Sequence, residues 1–309
     1  MAEGNEMLMN AVESYIKARR AAGYRFEDPG RLLKNFARFA AKSGDTHVVA
    51  KTAISWAELS PSQPRRDKRL KTVVRFARFI RVEDDQHQVP PHDIFIQAYI
   101  RRIPYIFSDG EIQMLVNQAL QLRPLTSLRP HTYSTLFGLM AVTGLRVSEA
   151  LKLKIHDLTG DGLLIRDTKF RKNRLVPLHE TTIETLHRYL PRRQYIGQTD
   201  DHFFLSNRGK KLSYESVRET FHKICHRGGI PRQPGNPNIR LHDLRHTFAV
   251  RSLENSPDCR HRVSAHMLAL MTYMGHATLA STYWYLETTP QLMTDIARKC
   301  ETFVYGEAL

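Results

Sequence analysis

The sequence predicts a mainly α-helical protein with one small β-sheet, an α+β chain arranged as two domains. Three observations carry this reading. Apolar residues recur at helical spacing along much of the chain: Leu32, Leu33, Phe36, Phe39 and Ala40 share a face within 31–42, and Leu70, Val73, Val74, Ala77 and Ile80 share another within 66–81. Two short runs, 162–167 and 175–178, have the look of paired strands, a hairpin with residues 169–174 at its tip. The segment 84–102, with Pro90 and Pro91, interrupts the pattern and reads as a linker, so a helical domain spans 1–100 and a second domain spans 105–309.

Each element has a local reason. A first helix at 12–22 stops near Gly23 and a second at 31–42 stops at Gly44, because glycine reaches the backbone conformations that end helices at little cost. Pro61 and Pro64 punctuate the chain before the helix at 66–81. Ser108 caps the next helix, with Glu111 three residues on, the spacing of a reciprocal capping box. An apolar helix at 133–142 ends at Thr143-Gly144, and helix restarts over 147–153. Residues 181–190, 214–227 and 242–253 read as further helices. Thr289 and Pro290 open the last one, as N-cap and first helical residue.

At 309 residues the chain can bury a sizeable core. Its net charge of +15 and pI near 9.9 point to a polyanionic partner, most often nucleic acid. Between Arg65 and Arg81 stand eight Lys or Arg and one Asp. A solvated face usually mixes both signs; here pairing along the helix cannot neutralise the charge, and Arg75 and Arg78 are expected to meet phosphates. Cys225, Cys259 and Cys300 form no CxxC pair and no even-numbered framework, which fits a reducing compartment. Residues 1–10 lack the apolar core of a secretory signal, and no apolar run approaches the ~20 residues that span a bilayer. A cytoplasmic protein that works on DNA is expected. No acidic cluster has metal-ligand spacing and no Gly-rich phosphate loop occurs, so neither metal nor cofactor is expected.

The chemistry concentrates in three segments: Thr143-Gly144-Leu145-Arg146-Val147-Ser148-Glu149, Leu241-His242-Asp243-Leu244-Arg245-His246, and Met274-Gly275-His276 followed nine residues later by Tyr285. Arg146 follows a Gly turn at a helix start, and a guanidinium there can bind phosphate oxygens in a fork and never deprotonates. Glu149, three residues on, either orients that guanidinium or caps the helix. His242 and Arg245 project from one helix face, a proton carrier beside a second phosphate clamp. His246 points elsewhere and reads as structural. A phenol with a pKa near ~10 needs surrounding cations to act as a nucleophile.

These segments, in this order, resemble the tyrosine recombinases, the family of phage integrases and chromosome-dimer resolvases. The resemblance covers residues 108–290 strongly and 1–100 through a basic helical domain of the right size. It implies a core-DNA-binding domain and a catalytic domain that grip DNA as a C-shaped clamp. It implies Tyr285 as the nucleophile, with Tyr283 as its neighbour and rival, and places the catalytic lysine at Lys169, aligned through Arg174-Leu175-Val176-Pro177-Leu178, with Lys172 as the rival. Arg171, Lys172 and Arg174 become backbone-phosphate contacts. Arg146, Arg245 and His276 stabilise the pentavalent phosphorane, and His242 manages the tyrosine proton. The implied partner is double-stranded DNA, held by a homotetramer on two sites, with the helix carrying Leu292, Ile296 and Ala297 docking on a neighbouring protomer. A type IB topoisomerase and a non-catalytic DNA-binding relative are the alternatives. The first would relax supercoils without site preference; the second would be expected to lack Arg146, Arg245 or Tyr285, all of which are present.

Overall fold

The computed structural model describes residues 3–95, 103–166, 173–196, 200–230, 239–254 and 260–275. The chain divides into two compact units, Met1–Arg101 and Arg102–Leu309. Residues 169–172 of the expected hairpin tip and the expected helix from Thr289 lie outside the described residues.

Four helices build the first unit: α1 (Glu3–Ala21), α2 (Glu27–Lys42), α3 (Ala50–Glu58) and α4 (Gln63–Ile80). Tyr15, Leu33, Phe36, Trp56, Leu70 and Phe76 are buried at its centre. Trp56 meets Phe36 edge-on, with ring centroids 5.4 Å apart, and its indole N–H donates to Asn35 Oδ1 at 2.8 Å. Burying each such side chain contributes about 1.5–3 kcal/mol. The sequence pattern gave no sign of α3: it has nine residues and no side-chain cap, and it borrows its order from the core against which Ala53, Trp56 and Ala57 pack. The start of the expected linker is also ordered. His87 and Phe95 are buried, and the N–H of Gln88 donates to Val48 O at 2.8 Å.

The second unit begins with α5 (Asp109–Leu120), whose capping box is formed in both directions between Ser108 and Glu111. Next comes α6 (Leu128–Thr143), buried on nearly every face, as its almost continuous apolar sequence requires. Phe137 and Phe221 pack edge to face at 5.6 Å, and Phe107 meets Phe221 at 6.3 Å. A single turn, α7 (Val147–Ala150), follows. It is shorter than the expected 147–153 because the next residues pair instead: Phe203 N–H donates to Leu153 O at 2.7 Å, and Lys154 bridges to His202.

Strands β1 (Leu158–Thr159), β2 (Gly162–Ile165) and β3 (Arg174–Val176) form one antiparallel sheet in that order. Leu163 faces Val176 and Ile165 faces Arg174. The remaining helices among the described residues are α8 (Glu180–Ile196), α9 (Tyr214–Arg227), α10 (Leu241–Glu254) and α11 (Arg260–Met274). Ala249, Val250 and Leu253 of α10 pack against Met267, Leu270 and Met274 of α11. That contact brings the end of α11 beside the end of α6.

Gly144 closes α6 in the left-handed region, at φ 60°, and its N–H donates to Met140 O. A Cβ there would lie 2.5 Å from a ring carbon of Phe248 and 3.1 Å from Met274 Sδ. Gly144→Ala is therefore expected to destabilise the protein by on the order of 2–4 kcal/mol, from left-handed strain plus overpacking. Denaturant midpoints of the two proteins measure it; a loss of only about 1–2 kcal/mol would mean that Phe248 swings aside and the backbone strain alone remains, and equal midpoints would contradict both causes.

Candidate active site

The site is assembled around the C-terminal end of α11. A helix end leaves its last carbonyls without intrahelical donors and with partial negative charge, so cations suit it. Here three consecutive carbonyls each accept from a different arginine. Arg174 Nε donates to Tyr273 O at 2.9 Å, Arg245 Nη2 to Met274 O at 2.6 Å, and Arg146 Nη2 to Gly275 O at 3.1 Å. Gly275, at φ 65°, turns the chain at this point.

Arg146 is the N-cap residue of α7. Both readings of Glu149 are realised: its Oε2 accepts from the Arg146 backbone N–H at 3.0 Å, and its Oε1 accepts from Arg146 Nη1 at 2.7 Å. Burial alone would raise the Glu149 carboxyl. The hydrogen bonds and charge of Arg174, joined by those of Arg146, outweigh burial and hold it at about 2.

Arg174 enters from β3. Its Nη1 and Nη2 grip Glu149 Oε1 and Oε2 at 3.0 and 2.8 Å, a planar fork on a carboxylate. Only 12% of the Arg174 side chain is exposed. The sequence reading made Arg174 a phosphate contact; in the structure its guanidinium is turned inward, to Glu149 and Tyr273.

Arg245 and His242 come from α10, whose start is fixed by the buried Asp243 accepting from the Arg240 backbone N–H at 2.7 Å. Arg245 is buried, and its Nη1 donates to Gly144 O at 2.7 Å. His242 opens to solvent on one side. Desolvation by its surroundings, then the charges of Arg245, Arg240 and Arg146, push its imidazole down to about 4, with Glu149 opposing. His242 is therefore held in its uncharged form, with one ring nitrogen able to accept a hydrogen bond. His246 lies buried, its ring edge-on to His242 at 4.6 Å.

The structure thus gathers Arg146, His242 and Arg245, and adds Glu149 and Arg174 behind them. Lys169, Arg171, Lys172, His276 and Tyr285 lie outside the described residues. In the first unit, Arg75 and Arg78 are exposed on α4, and neither has a side-chain partner among the described residues. Several of their basic neighbours are engaged: Arg66 donates to Ser60 O, Lys68 pairs with Asp28, Arg69 donates to Trp56 O and Lys71 pairs with Asp67.

One feature escaped the sequence reading. A cavity of about 1310 Å³ opens beside His242, lined on one side by Tyr214, Arg218, His222 and His226 and on the other by Arg240. The four α9 residues recur at every fourth position, so a polar, basic stripe was visible in 214–227 once the helix itself was read.

Two groups among the described residues have metal-ligand composition, His47–Asp84–His87 and Asp200–Asp201–His202. Neither suits an ion. The Val48 N–H donates to His87 Nδ1 at 3.0 Å, which leaves the proton of a neutral ring on the Nε2 that faces Asp84. Asp201 pairs with Lys154 at 2.8 Å, and Asp200 accepts from the backbone N–H groups of His202 and Lys211.

The chain is similar to known proteins in sequence and in fold. Residues 111–291 match the Phage integrase family. A Sinorhizobium fredii protein that carries the provisional name integrase/recombinase y4rB is 35% identical over 301 residues, 94% of this chain and 96% of that protein. The tyrosine recombinase XerD of Chlamydia muridarum is 31% identical over 226 residues, 71% of this chain and 68% of that protein. Among solved structures, the XerH site-specific recombinase bound to palindromic difH substrate superposes with TM-score 0.64 at 20% identity, over 93% of this chain and 83% of that one. The Tn1549 transposon integrase in complex with transposon right-end DNA gives TM-score 0.65 at 15% identity, over 94% of this chain and 98% of that one. The structures share the fold, and the sequence matches carry the kinship further: this chain belongs to the phage integrase family, the tyrosine recombinases.

Proposed function

We infer that the protein is a site-specific DNA recombinase that cuts and rejoins strands through a 3′-phosphotyrosyl intermediate and a Holliday junction. The observation that carries the reading is the convergence of Arg146 and Arg245 on the carbonyls of residues 274 and 275, directly before His276, with a neutral His242 alongside. Guanidiniums held by main-chain acceptors are oriented before substrate arrives, which is how charge developing on a phosphate is stabilised most effectively.

In this mechanism the Tyr285 oxygen attacks the scissile phosphorus and its proton passes to His242. The bond to the 5′ oxygen breaks as Lys169 protonates that oxygen. Arg146, Arg245 and His276 hold the non-bridging oxygens of the phosphorane. The 5′ hydroxyl of the partner strand then attacks the phosphotyrosine, reversing each transfer and conserving the bond energy. Double-stranded DNA is the partner, engaged by Arg75 and Arg78 and by Arg171 and Lys172, which precede Arg174 in the sequence, with four protomers on two sites. The α9 stripe and Arg240, beside His242, offer further donors to the duplex. No helix among the described residues is long and apolar enough to cross a membrane.

Covalent trapping tests the reading. Mixed without metal with nicked duplexes from the DNA flanking its gene, the protein is expected to form a denaturant-resistant adduct that maps by peptide mass to Tyr285. An adduct on Tyr283, or binding with no adduct on any flanking duplex, would contradict the assignment.

A further inference from the structure

The donors of Arg174 face the protein interior. Its fork takes both oxygens of Glu149, and its Nε takes the Tyr273 carbonyl. Glu149 in turn holds both the backbone N–H and the Nη1 of Arg146. Arg146 completes the circuit on Gly275 O. A would-be Cβ on Gly275 would sit 3.0 Å from Arg174 Nη1, so the turn is seated directly on this guanidinium. One side chain, on one short strand, thus connects β3, the start of α7 and the end of α11.

Resting on the functional reading above, we propose that Arg174 is a positioning residue for strand cleavage: it fixes the Arg146 guanidinium through Glu149, and it fixes the turn that precedes His276 through the Tyr273 carbonyl. It acts through these groups and does not itself contact DNA. Lysine cannot reproduce the arrangement, because a single ammonium cannot give a planar fork to a carboxylate while a third donor reaches a carbonyl on the far side.

The test uses the full-length protein and two variants, Arg174→Lys, which keeps the charge for Glu149, and Arg174→Met. Cleavage of a nicked phosphodiester duplex should fall by about ten- to a hundredfold, the scale set by misplacing a catalytic group by about an ångström. DNA affinity and its salt dependence should stay as in the parent. A phosphate contact would instead lower the slope of log affinity against log salt by about 0.9. A duplex with a methylphosphonate at the scissile position supplies the second readout. It lacks the non-bridging charge that Arg146 serves, so the gap between parent and variant should shrink there, whereas a merely weakened fold would cut both substrates equally. Amide exchange gives a third, independent of cleavage: the Arg146 and Gly275 N–H groups should exchange faster in the variants, and α5 should not. Unchanged cleavage by Arg174→Lys, a lowered salt slope, or unchanged exchange at both amides would each overturn the proposal. A parent protein that forms no adduct would count against the recombinase reading alone, and the exchange result would still decide the role of Arg174.

Discussion

Arg245→Ala is expected to lower strand cleavage by roughly 10²–10⁴-fold while DNA affinity falls by less than about tenfold. The side chain is almost wholly buried and is anchored on Gly144 O and Met274 O, the carbonyls that end α6 and begin the turn after α11. A guanidinium so fixed contributes little to capturing a duplex, which the exposed basic residues can do. Its contribution grows as the phosphate gains charge in the transition state, where a low-dielectric, preoriented donor is worth most. The same substitution strips two buried carbonyls of a donor, at about 1–3 kcal/mol each. Arg245→Lys, which keeps a donor and a charge, separates the two effects. Filter binding and single-turnover cleavage on one nicked duplex measure them. Parallel losses in binding and cleavage would make Arg245 a binding residue.

Glu149→Gln is expected to cost about 3–5 kcal/mol of stability at pH 7, because it leaves the guanidiniums of Arg146 and Arg174 without their buried counter-charge. The pH dependence gives this prediction its signature. In the folded protein the carboxyl sits at about 2, against an ordinary value of 4.5. A carboxyl lowered on folding stabilises fully above its unfolded pKa, and that stability is lost as pH falls from there through the folded value. The difference corresponds to about 3 kcal/mol. At pH 3 the gap between wild type and Glu149→Gln should therefore be about 2 kcal/mol narrower than at pH 7. Urea denaturation at the two pH values checks it, and a gap independent of pH would show that the carboxylate is not ionised against its arginines.

Much of the site was legible because its parts are local. The capping box at Ser108 and Glu111, the position of Arg146 at a helix start and the pairing of His242 with Arg245 on one helix face all depend on residues three apart. Helix α9 was read at both ends, since its apolar positions Val217, Phe221, Ile224 and Cys225 keep strict helical spacing. What was hidden depends on tertiary contact. Glu149 and Arg174 are 25 residues apart, on a helical turn and a strand, and nothing periodic joins them. Arg174 looked like one more cation in a basic hairpin, and its burial and inward contacts are tertiary facts that no local pattern carries. Helix α3 was missed because nine residues without a cap make too weak a local signal. Helix α11 was missed because it lacks the one-sided apolar stripe by which a helix announces itself.

The three arginines rest on main-chain oxygens at 273, 274 and 275, and this has a consequence for how the protein can change. An amide carbonyl is present whatever side chain its residue carries. Substitutions at 273 and 274 are limited by how well the new side chain packs, and the hydrogen-bonding pattern that aligns the guanidiniums survives them. Gly275 differs, because its backbone angle excludes most replacements. The scaffold of the site is in this sense written in chain geometry more than in residue identity, so the surrounding shell can drift, or be redesigned for a new DNA sequence, without dismantling the machinery that breaks the strand.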